Sequence, residues 1–160
     1  ILDKYQKWAS YTPEERGVVI AFGSVYGNTA LAAEILANKL AEAGEEKIVV
    51  HDVSRADPSE ILADCFKYDR MIFASSTFNA ELFPHMESAL LDLKAHILTN
   101  RTVALVENGS WALSAGKKMR EIFESMKGIT ILDEGHSIKS AVKDGDIDAL
   151  DAIVKAILAA

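Results

Sequence analysis

Apolar residues along this chain follow two patterns that alternate from one end to the other. Short continuous runs predict strands that are buried on both faces of a sheet. These runs lie at residues 18–23, 47–52, 70–75, 101–107 and 129–132, and the last one resumes near 136–138. In the intervening stretches apolar side chains recur at helical spacing, which predicts helices at residues 29–43, 58–66, 84–96, 114–127 and 147–158.

Residues at the predicted helix ends support these boundaries. Gly44 and Gly128 follow two of the helical stretches, where glycine is favoured because it adopts positive φ without a steric penalty. Asp57 or Ser54 is suited to cap the second helix, and Pro84 lies in the first turn of the third. Strands that alternate with helices predict a parallel sheet covered by helices on both faces.

Ligands of such sheets bind beyond the carboxyl ends of the strands, where the strand order reverses. The loops after the first, third and fourth strands are therefore the candidate binding segments. They comprise residues 24–29, 75–84 and 107–114.

Composition narrows the class of protein. The chain has 160 residues with 49% hydrophobic content, which fits one domain with a substantial core. Its net charge of −7 argues against a nucleic-acid-binding protein. No apolar stretch approaches the roughly 20 residues that cross a bilayer, and no signal peptide is recognisable. The single cysteine, Cys65, predicts a reducing, cytoplasmic setting and an apolar packing role.

The loop after the first strand is suited to bind a phosphate. Backbone N–H groups and the positive end of a helix dipole attract an anion where a strand, a glycine-containing loop and a helix follow one another. The loop lacks the third glycine of a dinucleotide site and the lysine of a nucleoside-triphosphate loop. The first and third strands also end without the acidic residues of a response-regulator receiver. These exclusions leave a site for one phosphate.

The other two loops combine aromatic side chains with small polar groups. Phe78 lies beside Asn79 in one loop, and Trp111 follows Gly109 and Ser110 in the other. Two aromatic groups that flank a gap can hold a flat ring by stacking. For Phe78, packing beneath its own loop is an equally good alternative. One phosphate and one large flat ring together describe flavin mononucleotide, FMN.

These three loops, in this order, resemble those of the flavodoxin-like domain of flavodiiron proteins, also called A-type flavoproteins. The resemblance covers nearly the whole chain, including residues 5–8, which look like the segment joining the family's metal-bearing and flavin domains. It implies a helical linker at residues 1–16 and an FMN-binding domain at 17–160. It also implies a flavodoxin-like three-layer sandwich with a five-stranded parallel sheet in the order 2-1-3-4-5.

The resemblance also implies two groups of contacts with the cofactor. The FMN phosphate would be bound by the first loop, at Ser24, Val25, Tyr26, Gly27, Asn28 and Thr29. The ring and ribityl chain would be bound by the other two loops, at Ser76, Thr77, Phe78, Asn79, Asn108, Gly109, Ser110 and Trp111. The family commonly has Met at the position of Val25 and Pro at the position of Ser76. We expect little effect from the first difference and a looser second loop from the other.

The implied function is electron transfer through FMN, with no side chain acting as acid, base or nucleophile. Such a domain passes electrons to a diiron centre that reduces oxygen or nitric oxide. That centre lies in a separate metallo-β-lactamase-like domain, and rubredoxin or a reductase is the implied redox partner. The resemblance leaves a homodimer or a tetramer open for the parent protein. The four histidines have no metal-ligand spacing, so no metal site is predicted in this chain.

Two other functions remain open from the sequence. The chain could be a stand-alone FMN enzyme that takes hydride from NAD(P)H and reduces a quinone or a free flavin. It could also be an interaction module that no longer binds flavin. Oxidation of NADPH would indicate the first alternative, and failure to bind FMN would indicate the second.

Overall fold

The computed structural model describes residues 12–79, 81–109 and 114–160, over which strands and helices alternate. The strands are β1 (Glu15–Gly23), β2 (Ile48–Asp52), β3 (Tyr68–Phe78), β4 (Glu81–Leu82), β5 (Arg101–Gly109), β6 (Ile129–Ile131) and β7 (His136–Lys139). The helices are α1 (Asn28–Glu42), α2 (Pro58–Lys67), α3 (Pro84–Ala95), α4 (Ala115–Glu124) and α5 (Asp144–Ala159).

The main sheet has the strand order β2-β1-β3-β5-β6, with every neighbouring pair parallel. Without the short β4, this is the predicted order 2-1-3-4-5, so the predicted flavodoxin-like fold is confirmed. The order reverses at β1, which lies between β2 and β3. Because β1 and β3 are parallel neighbours, their carboxyl ends lie side by side, and Gly23 pairs with Ser75.

The last strand of the sheet is split into two pieces, as predicted. β6 pairs with the first three residues of β5, from Arg101 to Val103, and β7 pairs with its last four, from Val106 to Gly109. A hairpin was not predicted: β4 pairs antiparallel to the end of β3, with Thr77 opposite Leu82 and Phe78 opposite Glu81. β4 therefore runs back alongside the last two residues of β3.

The core has two parts, one on each face of the sheet. Because side chains alternate along a strand, Val18 and Ile20 of β1 face α1 and α5, whereas Val19 and Ala21 face the opposite layer. On that opposite side Phe73 and Phe123 pack with ring centroids 5.3 Å apart. Both faces of the central strands are buried, which explains their continuous apolar sequence.

Several predicted boundaries differ from the structure. β1 begins at Glu15 instead of 18, with a bulge between Glu15 and Val18 against β3. α4 ends at Glu124 instead of 127, and α5 begins at Asp144 instead of 147. The early start of α5 follows from Asp146, whose carboxylate accepts the backbone N–H of Lys143 at 2.8 Å. Most of the predicted linker, residues 1–11, lies outside the described residues.

No helix within the described ranges is both long and apolar enough to span a membrane.

Cys65 lies on α2, and its side chain is fully buried in the core. Burial raises the pKa of its thiol to about 12, and the nearby Asp64 carboxylate contributes in the same direction. We therefore expect a thiol-specific aromatic disulfide reagent at pH 8 to leave Cys65 unmodified in the native domain and to label it completely in denaturant. Absorbance of the released thiolate measures the reaction, and rapid labelling of the native domain would contradict this description of Cys65.

His136 of β7 and Asp146 of α5 are joined by a hydrogen bond, with 2.6 Å between Nε2 and Oδ1. The pKa of Asp146 lies below its ordinary value of 3.8, mainly because the His136 ring donates this hydrogen bond. The Asp146 carboxylate is therefore protonated less readily in the native state than in the unfolded chain. The contribution of Asp146 to stability is complete above the unfolded pKa and is lost as pH falls through the lower native pKa.

We expect Asp146→Asn to lower the free energy of unfolding at pH 7 and to reduce its dependence on pH below 4. Urea unfolding of the variant and the wild type between pH 7 and pH 3 measures both effects. Parallel stability curves over that interval would show that Asp146 is not the group that titrates.

Candidate functional site

The loop between β1 and α1 makes a tight turn at the start of a long helix. Gly27 has a φ of 88°, which favours glycine, and a side chain at this position would meet open space. The hydroxyl of Ser24 accepts the N–H of Gly27 at 2.9 Å, and the carbonyl of Gly27 accepts the N–H of Leu31 at 3.0 Å. The loop is therefore ordered by its own hydrogen bonds, and glycine is needed for its backbone angle.

The start of α1 has the electrostatics of an anion site. The helix is 15 residues long and has no acidic residue in its first turn. Its orphan N–H groups and its dipole therefore present positive potential to the cleft without local opposition. Asn28 lines the cleft, and Tyr26 is 90% exposed at its rim.

The residues at the carboxyl end of β3 connect the β1–α1 loop to the rest of the cleft. The Ser76 hydroxyl lies 2.8 Å from that of Thr29, and it accepts the N–H of Val25 over a longer 3.4 Å. Thr29 is only 1% exposed, and its hydroxyl makes this contact within the fold. At the position where the family commonly has Pro, the Ser76 hydroxyl thus bridges two elements.

The next residue, Thr77, connects to a different element. Its hydroxyl oxygen accepts the backbone N–H groups of Ser114 and Ala115, each at 3.3 Å. These are the first N–H groups of α4, so Thr77 caps that helix from a separate strand. The contact fixes the end of β3 relative to the segment that follows β5.

The β3–β4 hairpin forms one wall of the cleft. Asn79 has a φ of 51° in its turn, a left-handed conformation that asparagine tolerates better than most residues. Phe78 is 40% exposed and meets Phe83 edge-on, with 6.5 Å between ring centroids. Phe78 therefore packs against its loop, which was one of the two alternatives considered for it, and also lines the cleft.

The opposite wall is formed by the ends of β5 and β7. The Asn108 side-chain amide donates to the carbonyl of Ser140 at 2.9 Å, and the Ser140 N–H donates to the carbonyl of Gly109 at 3.3 Å. Below them, the Glu107 carboxylate accepts the Gly116 N–H and the Ser137 hydroxyl, each at 2.6 Å. These bonds hold β5, β7 and α4 together beside the cleft.

Together these loops enclose a cleft of about 220 Å³ at the carboxyl edge of the sheet. It brings together most of the predicted site residues: Val25, Tyr26, Asn28, Ser76, Thr77, Phe78, Asn79, Asn108 and Gly109. Among its described lining residues none is charged, so no carboxylate opposes an anionic ligand there. The lining offers hydroxyl and amide groups near α1 and an aromatic face near β4.

Three predicted phosphate residues, Ser24, Gly27 and Thr29, do not line this cleft. Ser24 and Thr29 instead shape the loop through the hydrogen bonds described above, and Gly27 provides its positive φ. Ser110 and Trp111 lie outside the described residues. Ser140 lines the cleft but was not predicted, although it follows β7 at the same edge of the sheet.

Comparison with known proteins identifies the family. Residues 20–153 match the family described as Flavodoxin, which is more than half of the chain. The chain belongs to the flavodoxin family. Membership of this family implies FMN binding, and the uncharged cleft at the end of β1 lies where that cofactor is expected.

Relatives of this flavodoxin domain include larger proteins. It is 26% identical over 113 residues to an anaerobic nitric oxide reductase flavorubredoxin of Escherichia coli, covering 70% of this chain and 23% of that protein. A Klebsiella pneumoniae protein of the same name is 23% identical over 155 residues, covering 94% of this chain and 30% of the relative. The chain thus spans less than one third of the length of either relative.

Solved structures show the same fold. The rubredoxin oxygen:oxidoreductase of Desulfovibrio gigas superposes with a TM-score of 0.90 at 20% identity, over 98% of this chain and 38% of that one. A flavodoxin of Streptococcus pneumoniae gives 0.76 at 25% identity, over 89% of this chain and 97% of its own. Two solved flavodiiron proteins share the fold with TM-scores of 0.80 and 0.84, so the resemblance of this domain to flavodiiron proteins is confirmed.

Metal binding has no support within the described part of the chain, where no three metal-ligating side chains come together. Two histidines are instead paired with carboxylates, His51 with Asp64 at 2.7 Å and His136 with Asp146.

Proposed function

We propose that this flavodoxin domain binds FMN in the cleft at the carboxyl edge of its sheet and serves in electron transfer. The observation that carries the proposal is an uncharged polar cleft at the N-terminus of α1, where Gly27 adopts positive φ and no acidic residue occupies the first helical turn. A phosphate group fits this end because backbone N–H groups and the helix dipole stabilise negative charge.

In this proposal, one end of the cleft binds the FMN phosphate and the other end binds the flat ring. Asn28 and the backbone N–H groups of Tyr26, Asn28 and Thr29 bind the phosphate. Ser24 and Ser76 accept the N–H groups of Gly27 and Val25 and thereby orient the turn. Phe78, Asn79, Asn108 and Gly109 bind the flat ring, together with Ser110 and Trp111 of the adjoining segment. When bound, FMN supplies the redox chemistry by accepting and donating electrons through its ring system. The side chains bind it, orient it and exclude water from one face.

The domain serves as the flavin-binding part of a flavodiiron oxidoreductase in this proposal. Support comes from the names of its relatives, a nitric oxide reductase and an oxygen oxidoreductase, and from its alignment with a minor part of each. A diiron metallo-β-lactamase-like domain is the electron acceptor, and rubredoxin or a reductase is the donor. In this proposal, reduction of oxygen or nitric oxide takes place in that second domain.

FMN reconstitution tests the proposal and its alternatives. Addition of FMN to the purified domain is expected to quench flavin fluorescence with one FMN bound per chain, because aromatic stacking and burial change the ring environment. The reconstituted domain should oxidise NADPH no faster than free FMN does. Absence of binding would contradict the proposal and favour an interaction module, whereas rapid NADPH oxidation would favour a stand-alone reductase.

A further inference from the structure

The carboxyl end of β3 carries two hydroxyl groups that reach in different directions. Ser76 and Thr77 are consecutive, so their side chains point to opposite faces of the strand. The Ser76 hydroxyl contacts Thr29 and the N–H of Val25, which lie on the phosphate side. The Thr77 hydroxyl contacts the first turn of α4, on the ring side.

Ser76 joins both ends of the phosphate loop to the sheet. Val25 stands near the beginning of the loop, and Thr29 lies in the first turn of α1. The Thr29 side chain is buried and does not line the cleft. One hydroxyl therefore fixes the loop relative to β3 at two points. Its loss would let the loop shift away from the position where its N–H groups converge.

Thr77 connects the two walls of the cleft between which the flat ring would lie. It immediately precedes Phe78 in the β3–β4 wall, and it caps the helix that follows the β5 wall. Its hydroxyl accepts two N–H groups at the helix start, so removing it leaves both without this partner. We expect the spacing between the walls to depend on these two hydrogen bonds of Thr77. The phosphate loop, by contrast, has no hydrogen bond to Thr77 among the described residues.

We propose that Ser76 and Thr77 divide flavin recognition between them as positioning residues. Ser76 sets the geometry of the phosphate loop and thereby favours flavins with a terminal phosphate over those without one. Thr77 sets the distance between the two walls of the cleft that hold the flat ring, and it therefore affects the affinity for every flavin equally. This inference rests on the proposed binding of FMN, and it assigns both hydroxyls effects that need no contact with the cofactor.

Three ligands separate the two effects: FMN, riboflavin without the phosphate, and lumiflavin with the ring alone. Ser76→Ala is expected to weaken FMN binding about tenfold, with riboflavin and lumiflavin affected less than about threefold. Thr77→Val is expected to weaken all three about tenfold, which leaves the ratio of FMN to riboflavin affinity unchanged. Fluorescence titration measures each dissociation constant.

Matched variants control for a loss of structure. Ser75→Ala removes the neighbouring hydroxyl, which within the described ranges donates to the carbonyl of Ser76, and should leave all three affinities within about twofold. Thr77→Ser keeps the hydroxyl and should restore wild-type binding; should Thr77→Val fail to fold, Thr77→Ala replaces it. Adding Thr29→Val to Ser76→Ala should weaken FMN binding no further, because the two hydroxyls act as one pair.

The failure of this inference is distinguishable from that of the proposed function. If the wild type binds FMN but Ser76→Ala lowers the three affinities equally, or not at all, the division of roles is wrong while FMN binding stands. If Thr77→Val alters the ratio of FMN to riboflavin affinity, the assignment of Thr77 to the ring side is wrong. If the wild type binds neither FMN nor lumiflavin, both the function and this inference are overturned.

Discussion

Asn28→Asp is expected to lower the affinity of the domain for FMN on the order of 100-fold, because it places a carboxylate beside the phosphate. Asparagine and aspartate have nearly the same shape, so the change is almost purely electrostatic. Asn28 lines the cleft at the first residue of α1, and no described lining residue is charged. The new charge would repel the anion in a site where water is partly excluded.

The same substitution should leave the folded domain as stable as the wild type or slightly more stable. A carboxylate at a helix N-terminus interacts favourably with the dipole, by about 0.3–1 kcal/mol. Affinity and stability therefore move independently, which separates a loss of phosphate binding from a loss of folding. Isothermal titration with FMN and urea unfolding measure the two quantities.

Two controls define this result. Asn38→Asp adds the same charge to an exposed position on α1, ten residues from the cleft, and should leave FMN binding almost unchanged. Riboflavin should bind the wild type and Asn28→Asp with similar affinity, since it has no phosphate to repel. An equal loss of riboflavin and FMN affinity in Asn28→Asp would show that the phosphate does not lie at the start of α1.

Arg70→Met is expected to cost about 3–5 kcal/mol of unfolding free energy, because it removes one partner of a buried ion pair. The Arg70 side chain is 2% exposed, and its guanidinium lies 2.7 Å from Glu45 and 3.2 Å from Asp69. It also donates to the carbonyl of Ile157 at 3.2 Å. Its removal leaves the Glu45 carboxylate in a largely buried site without its closest cation.

Urea unfolding measures this effect. Arg55→Met is the matched control, because the Arg55 side chain is 87% exposed and its pairing with Asp52 is long, at 3.7 Å. Exposed pairs contribute about 0–1 kcal/mol, so this variant should unfold close to the wild type. Adding Glu45→Gln to Arg70→Met should recover part of the loss. A similar, small effect of both arginine substitutions would contradict the structural role assigned to Arg70.

The sequence pattern was sufficient for the sheet and for most of the cleft. Strands buried on both faces have continuous apolar sequences, so β1, β3 and β5 were recognisable without knowledge of their neighbours. The parallel topology then required the loops after these strands to meet at one edge. That placement follows from chain connectivity, which explains why residues from three distant loops were predicted to line one site.

The parts that were not predicted depend on contacts between residues distant in sequence. The hydroxyl of Thr77 caps a helix that begins 38 residues later, and no local pattern marks such a bond. Ser140 lines the cleft because the second piece of the split strand, β7, pairs with the end of β5. β4 has only two residues, too few for a periodic pattern to develop.

The most direct test of phosphate binding at the β1–α1 loop is a titration followed by proton–nitrogen correlation spectra. With FMN, the account predicts the largest shifts at the backbone amides of Val25, Gly27 and Asn28, together with Asn79, Asn108 and Gly109. With riboflavin, it predicts that Asn79, Asn108 and Gly109 shift while the amides of the β1–α1 loop remain near their unliganded positions. Tight FMN binding that leaves the amides of Val25, Gly27 and Asn28 unshifted would contradict the account.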